Sequence, residues 1–337
     1  MPIERITLPD APPIPGLWFR PTRGQADAPA FHAIHAGRMD RDAVDPLSTL
    51  EGVPTEEEMR NVLANVLAEG RPDRYLVAQV MDVVIGYCRI RSWPETDGTW
   101  VYLHVGWVLP EWRGRGIGTA MLHWAEDRCR RLAAVSHPGE PFDLAGNASA
   151  TEVEATALLL REGYHVGFTA LEMGLDPAVT FRPHPLPAGF RLRSVLPADY
   201  PAIAASVDEA YRHEYPAGRY QDCFDPAGYV AEIGAPPHDP TLWRVAWDGG
   251  EVVGQVLAVI QRGRGEVFEV SVRPTWRRRG LARALLSDAL CGLRDRGVDV
   301  IRLHTRADFP TRARDLYESL GFRVLKEFPR YRKRYVS

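Results

Sequence analysis

A mixed α/β protein of two tandem domains is what the sequence predicts, on three observations. A Gly/Arg-rich turn after a short apolar run occurs twice, at Arg113-Gly114-Arg115-Gly116-Ile117-Gly118 and at Arg277-Arg278-Arg279-Gly280-Leu281-Ala282. The patterns before and after the two copies repeat in the same order. The chain of 337 residues is also too long for one ordinary core.

Taken in order, the Pro-rich stretch Met1 to Leu17 lacks both a basic start and a long apolar run, so it reads as neither signal peptide nor membrane span. Gly16-Leu17-Trp18-Phe19-Arg20-Pro21 opens the first half and Gly189-Phe190-Arg191-Leu192-Arg193-Ser194 the second. Ala-rich helical patterns follow, over Ala28 to Ala36 and Ala198 to Ala210. Hairpin-like strand pairs come next, Tyr75 to Val80 with Val83 to Arg91, and Leu242 to Trp247 with Glu251 to Gln261. Gly249-Gly250 is a strong turn signal in the second pair.

Each Gly/Arg turn follows an apolar run ending in Pro and then x-Trp-Arg, at Val108 to Arg113 and Val272 to Arg277. Helical patterns begin there, Thr119 to Ala134 and Arg283 to Arg294. The halves close alike, Leu158 to Gly163-Tyr164 and Leu316 to Gly321-Phe322, each a helix end turning into a strand. Asp176 to Pro187 holds four prolines and little periodicity, which sets the expected domains at 1–178 and 188–337 with a linker at 179–187. The basic, aromatic tail Arg330 to Tyr335 reads as a solvated last strand.

An apolar share of 45% and a charged share of 25% suit a soluble globular protein, and a net charge of −3 gives no prior for nucleic acid or a membrane surface. Cys88, Cys129, Cys223 and Cys291 lack paired spacing, so neither a disulfide framework nor a metal site is expected. The cytoplasm is the expected compartment.

A strand, a Gly/Arg turn and a helix start bring backbone N–H groups together on an anion, with the helix dipole behind them. Glycines allow close approach and arginines add charge-assisted hydrogen bonds. A Rossmann site fits poorly, because the third glycine of G-x-G-x-x-G is missing and the second copy has one glycine in its turn. Neither copy has the Gly-Lys-Ser/Thr of a P-loop. A solvated Arg-rich surface is the remaining rival, and the duplication speaks against it.

Both halves resemble the GCN5-related N-acetyltransferase (GNAT) family. Its acyl-CoA turn, Gln/Arg-x-x-Gly-x-Gly/Ala, stands here as Arg113-x-x-Gly116-x-Gly118 and Arg277-x-x-Gly280-x-Ala282. Its closing motif is complete at Leu316-Tyr317 through Gly321-Phe322. The resemblance implies two GNAT-like domains, each a central, mostly antiparallel sheet flanked by helices. It implies acetyl-CoA as acyl donor and no metal. Cofactor contacts would come from Arg113 to Thr119 (Arg113, Gly114, Arg115, Gly116, Ile117, Gly118, Thr119) and from Arg277, Arg278, Arg279, Gly280, Leu281, Ala282 and Arg283. The pantetheine arm would lie along Gly106-Trp107-Val108 or Val270-Ser271-Val272 as an added strand.

Acetyl transfer to an amine needs a base for the ammonium proton and an acid for the leaving thiolate. By the resemblance Tyr317 is the acid; the matching residue in the first half is Leu159, which cannot donate a proton. Glu266 and Glu269 are the base candidates, and strand alternation puts them on opposite faces. The repeat offset matches them to Tyr102 and Val105, so the second half is expected to be the catalytic one and the first degenerate. The second half is similar to mycothiol synthase in its Gly-Glu-Val-aromatic stretch at Gly265 to Phe268, which favours Glu266. The chain departs from the family where an Asn commonly precedes the last helix: here Asp308 stands in Arg306 to Thr311.

Tyr211 to Tyr215 and Gly218 to Asp222 are candidates for the acceptor site. The expected activity is transfer of acetyl from acetyl-CoA to a primary amine of a small molecule, in a ternary complex. The partners expected are that amine and at most a second copy of the chain (monomer or homodimer), with no nucleic acid and no membrane. The alternatives are an acyl-CoA-binding sensor or scaffold, a longer acyl group, or a protein amine.

Overall fold

The computed structural model of the chain describes residues 4–180, 182–214, 223–308 and 311–336. It forms two compact units. The first consists of Met1–Pro46, Glu51–Gly167 and Phe328–Ser337, the second of Leu47–Leu50 and Phe168–Glu327.

The first half contributes β1 (Leu17–Arg20), α1 (Ala28–Gly37), α2 (Glu56–Ala68), β2 (Tyr75–Val80), β3 (Val83–Pro94), β4 (Trp100–Val108), α3 (Ile117–Ser136), β5 (Phe142–Asn147) and α4 (Val153–Arg161). The chain continues with β6 (His165–Leu175), β7 (Arg191–Leu192), α5 (Tyr200–Glu214), α6 (Pro226–Ile233), β8 (Arg244–Asp248), β9 (Glu251–Gln261) and β10 (Arg264–Val272). It ends with α7 (Leu281–Asp295), β11 (Ile301–Arg306), α8 (Ala313–Ser319) and β12 (Phe322–Tyr335).

The strand order in the first unit is β1-β2-β3-β4-β5-β12, and in the second β6-β11-β10-β9-β8-β7. Neighbours are antiparallel except β4 with β5 and β10 with β11. Each unit is thus a mixed, mostly antiparallel sheet flanked by helices. The predicted hairpins fall on β2/β3 and β8/β9, and the predicted long helices within α3 and α7. Helices α2 and α6 were not legible as a repeat. A capping box closes the start of α2, where Thr55 accepts from the Glu58 N–H and Glu58 bonds the Thr55 N–H.

The units do not coincide with the halves 1–178 and 188–337. Ala170 to Gly174 of β6 pair with Arg306 to Arg302 of β11, inside the second unit. Arg330 to Tyr335 of β12 pair with Asn147 to Phe142 of β5, inside the first. Each sheet is therefore completed by the closing strand of the other half. A repeat in sequence says that a strand follows the last helix; it cannot say which sheet that strand joins. The tail is likewise no solvated strand. Tyr331 and Arg332 are buried, and Arg332, Lys333 and Arg334 pair with Glu95, Glu126 and Asp143.

The core of the second unit packs Leu281, Leu285, Leu286, Leu290 and Leu293 of α7 on Val245, Val256 and Val267 of the sheet. That helical spacing gives one apolar face, and each buried leucine contributes about 2 kcal/mol. In the first unit α3 covers one sheet face, with Met121, Ala125 and Cys129 against Cys88, Tyr102 and Leu144. Helices α1 and α2 cover the other with Phe31, Ile34 and Leu63 against Tyr75, Val77 and Tyr87.

Candidate active site

In the second unit β10 parts from β11. They pair only over Gly265 to Val267, whereas β10 stays paired with β9 along its length. The β11-side edge of Glu269 to Val272 is therefore open. That edge, the turn and α8 border a cleft of about 730 Å³. Its walls include Val270, Ser271, Val272, Arg278, Arg312 and, at the α8 side, Tyr317. A volume of this size lies in the range of small-molecule sites, roughly 300–1,000 Å³.

Gly280 caps α7 in the left-handed region (φ 81°), without a side-chain cap bond. The first N–H groups of the helix, from Leu281 to Arg283, thus have no intrahelical acceptor and face the cleft mouth. A Cβ placed on Gly280 would meet nothing within 4 Å, so the space over the turn is clear for an anion. The arginines divide by role. Arg277 is turned inward, its Nε donating to Val272 O (2.8 Å) and its Nη2 to Ala210 O (3.0 Å), which braces the turn. Arg279 donates to Thr275 O and Arg283 to Ser319 Oγ. Arg278 holds a positive φ of 62° and lines the cleft. Leu281 is buried in the core and Ala282 borders the cleft. Asp308 forms a bidentate pair with Arg306, which lowers its carboxyl pKa.

Tyr317 is buried, with its ring 6.1 Å from that of Phe322. Glu269 begins the open edge and Glu266 precedes it on β10; neither is part of the cleft wall. The expectation that they face opposite sides is corrected by a bulge. Glu266 and Val267 stand opposite Val259 and Ala258, but Glu269 stands opposite Leu257, so Phe268 is the extra residue. The inserted residue returns Glu269 to the face of Glu266. This face is the one toward α5, where the Tyr211 hydroxyl lies 3.3 and 3.4 Å from the two Glu269 oxygens. Burial, with Glu269 and Glu232 nearby, raises the pKa of Tyr229 on α6. Of the acceptor candidates, Tyr215 and Gly218 to Asp222 lie outside the described residues.

The same features in the first unit are closed. Strand β4 pairs with β5 only over Trp100 to Leu103, so the splay is kept, but its register with β3 runs without a bulge. Counted along the partner strands from the turn, Glu269 is level with Val105, and Glu266 with Leu103 rather than Tyr102. The bulge shifts the repeat offset by one. The cavity there is only about 80 Å³, bordered by Cys88, His104, Gly106, Val108, Gly118 and Leu159 among others. Leu159, in the place of Tyr317, would lie 2.8 Å from a Cβ on Gly146. Trp107 fills the other face, 4.6 Å from His35 and 5.0 Å from Tyr87.

The turn of the first unit is also occupied by the chain itself. Pro12 lies 3.5 Å from the Cβ position of Gly116, the left-handed residue that caps α3. Asp10 bonds His123 at 2.7 Å and Leu8 is buried in the core. Arg113 is bidentate to Asp42 (2.6 and 2.9 Å), Arg115 stacks 5.0 Å from Trp112, and Thr119 accepts from Arg161. Gly114 and Gly116 keep positive φ, and Ile117 is buried. At this turn Arg113 is neutralised by Asp42 and Arg115 is stacked on Trp112, whereas Arg278 of the other turn lines the cleft.

A parallel-strand splay, a left-handed Gly/Arg turn at a helix start and a closing Tyr helix define an acyltransferase fold of one kind. The profile of the Acetyltransferase (GNAT) family matches residues 42–137 and 203–322, and the chain belongs to that family, as a tandem member. It is similar to the mycothiol acetyltransferase of Cellulomonas flavigena, 26% identical over 88% of this chain and 83% of that one. That of an Arthrobacter species is 28% identical over 87% and 88%. Among solved structures, a GCN5-related N-acetyltransferase from Sphaerobacter thermophilus superposes with a TM-score of 0.76, 23% identity and 97% of both chains covered. A tandem GNAT protein from the clavulanic acid biosynthesis pathway gives a TM-score of 0.65 at 16% identity, over 94% of this chain and 98% of that one. No helix among the described residues is long and apolar enough to cross a membrane, and these residues hold no His/Cys/Asp/Glu group suited to a metal.

Proposed function

We propose that the second unit transfers an acetyl group from acetyl-CoA to a primary amine of a small molecule, and that the first unit is a closed, non-catalytic copy. The observation that carries this reading is the contrast between the units. One has an open β10 edge and a tyrosine at a cleft of about 730 Å³; the other has a leucine and about 80 Å³.

Acetyl-CoA supplies the activated thioester. The chain's own groups would do the rest. The N–H groups at the start of α7, with Arg278, bind the phosphates. The open edge of Glu269 to Val272 aligns the pantetheine amides. Glu266 takes the ammonium proton, directly or through water, and the Tyr317 hydroxyl returns a proton to the departing sulfur. Glu266 is preferred over Glu269 because, among the described residues, its bonds fall on Oε2 alone, from Gln261 and Arg264, which leaves Oε1 for a proton. Similarity to proteins named mycothiol acetyltransferases supports a small amine acceptor and does not identify it.

The test is thiol release over a panel of amines with Tyr317→Phe and Glu266→Gln. Each is expected to lower kcat by roughly 100-fold or more while KM for acetyl-CoA changes little. Wild-type turnover in either variant removes that residue from the mechanism. Failure of the unmodified chain to release thiol with any amine favours the acyl-CoA-binding sensor.

A further inference from the structure

Resting on the assignment of Glu266 as base, we infer that Arg264 is a positioning residue. Together with Gln261 it fixes the Glu266 carboxylate in the orientation that receives the acceptor's proton.

The constellation is built by the turn between β9 and β10. Its two residues, Arg262 and Gly263, have φ of 50° and 75°, the left-handed pair of a tight hairpin. Such a turn sets Gln261 directly opposite Arg264. Glu266 follows two positions on, so strand alternation brings all three side chains to one face. Arg264 Nη2 donates to Glu266 Oε2 at 3.2 Å, and Gln261 Nε2 donates to the same oxygen at 3.1 Å. Two donors on one oxygen fix the plane of the carboxylate and turn Oε1 away from both.

Arg264 is only 4% exposed, and its Nε and Nη1 are buried without a hydrogen-bond partner. Burying a guanidinium with two unpartnered nitrogens opposes folding, so fold stability alone does not account for it. A need on the same face does account for it. The bulge at Phe268 puts a second carboxylate, Glu269, on that face. Two buried carboxylates on one face repel, and a fixed cation beside Glu266 offsets that repulsion. Charged or titratable groups toward this face include Tyr211 of α5, Tyr229 and Glu232 of α6, His238, whose ring lies 4.8 Å from that of Phe268, and Arg302, level with Glu266 on β11. Arg264 is ion-paired to Glu266 at 3.2 Å.

The experiment measures thiol release against pH for the full chain and its Arg264→Met, Arg264→Lys, Gln261→Leu and Glu266→Gln variants, with thermal melts as a folding control. Arg264→Met is expected to lower kcat 10- to 100-fold, leave KM for acetyl-CoA within about two-fold, and move the acid limb of kcat/KM up by roughly one pH unit. Arg264→Lys should restore most of the turnover and return the limb. Gln261→Leu, which removes only a neutral bond, should move the limb the same way by less, and it decides the matter where Arg264→Met does not fold. An unmoved acid limb with unchanged kcat in the folded variants overturns the inference. A fully active Glu266→Gln chain instead sinks the base assignment on which it rests.

Discussion

His104 is walled into the first unit, with Nε2 2.6 Å from the Tyr164 hydroxyl, which donates in turn to Glu126 at 2.9 Å. Burial is the main cause that lowers its pKa from 6.5 to about 4. His35 falls to about 3, again mainly by burial and then by the charges of Arg38 and Arg89. Between the folded and ordinary values only the unfolded chain holds the proton, so acid favours unfolding. The stabilisation from a neutral His104 is complete above pH 6.5 and is lost as the pH falls toward 4. It is on the order of 3 kcal/mol. Urea midpoints measured across this window should drop on acidification, and His104→Gln should flatten the drop. An identical acid dependence in that variant would show that other groups carry it. Neither histidine stood out in the sequence, because a titrating residue in a strand or helix pattern is visible but its burial is not. Tyr317 did stand out, since a motif names a position directly.

At the level of elements, the bulge in β10 decides which residues share a face. Phe268 is one residue too many for the ladder, and its bulging out leaves Glu269 on the side of Glu266. Deleting Phe268 should leave Glu266 opposite Val259 and Glu269 opposite Leu257 in a regular ladder, with both carboxylates still on one face and the local bend of the strand lost. We expect transfer to fall roughly 10-fold or more with the fold retained, read by turnover and far-ultraviolet dichroism. Full activity in the deletion would mean that the bend contributes nothing to placing the carboxylates. The strands, the two long helices and the turns were readable from period and repeat. The bulge was not, because Gly265 to Val270 contains no glycine or asparagine at the extra position. For the same reason the offset that matched Glu266 to Tyr102 was one residue off, and Leu103 is its level partner.

For the molecule as a whole, the repeat was legible and the exchange of closing strands was not. Two equivalent strands in two equivalent contexts carry the same local signal, and only tertiary pairing distinguishes their partners. The exchange has a direct test. Chains 1–178 and 188–337, expressed apart, should each lack a strand of their own unit. The first would lose Tyr331 from its core and Lys333 from Glu126; the second would lose the partner of Thr305 at Leu171. Both should be unfolded or aggregated alone, and co-expression should restore thiol release. An isolated half that melts cooperatively and matches the full chain in stability would contradict the exchange.

The closing strands also bear on inheritance. A duplicated enzyme whose copies fold separately can discard the idle one through a single deletion. Here a deletion of the first half would take β6 from the second sheet, and a deletion of the second half would strip β12 from the first. On the proposed reading, a half that does no chemistry is still needed to build the sheet of the half that does.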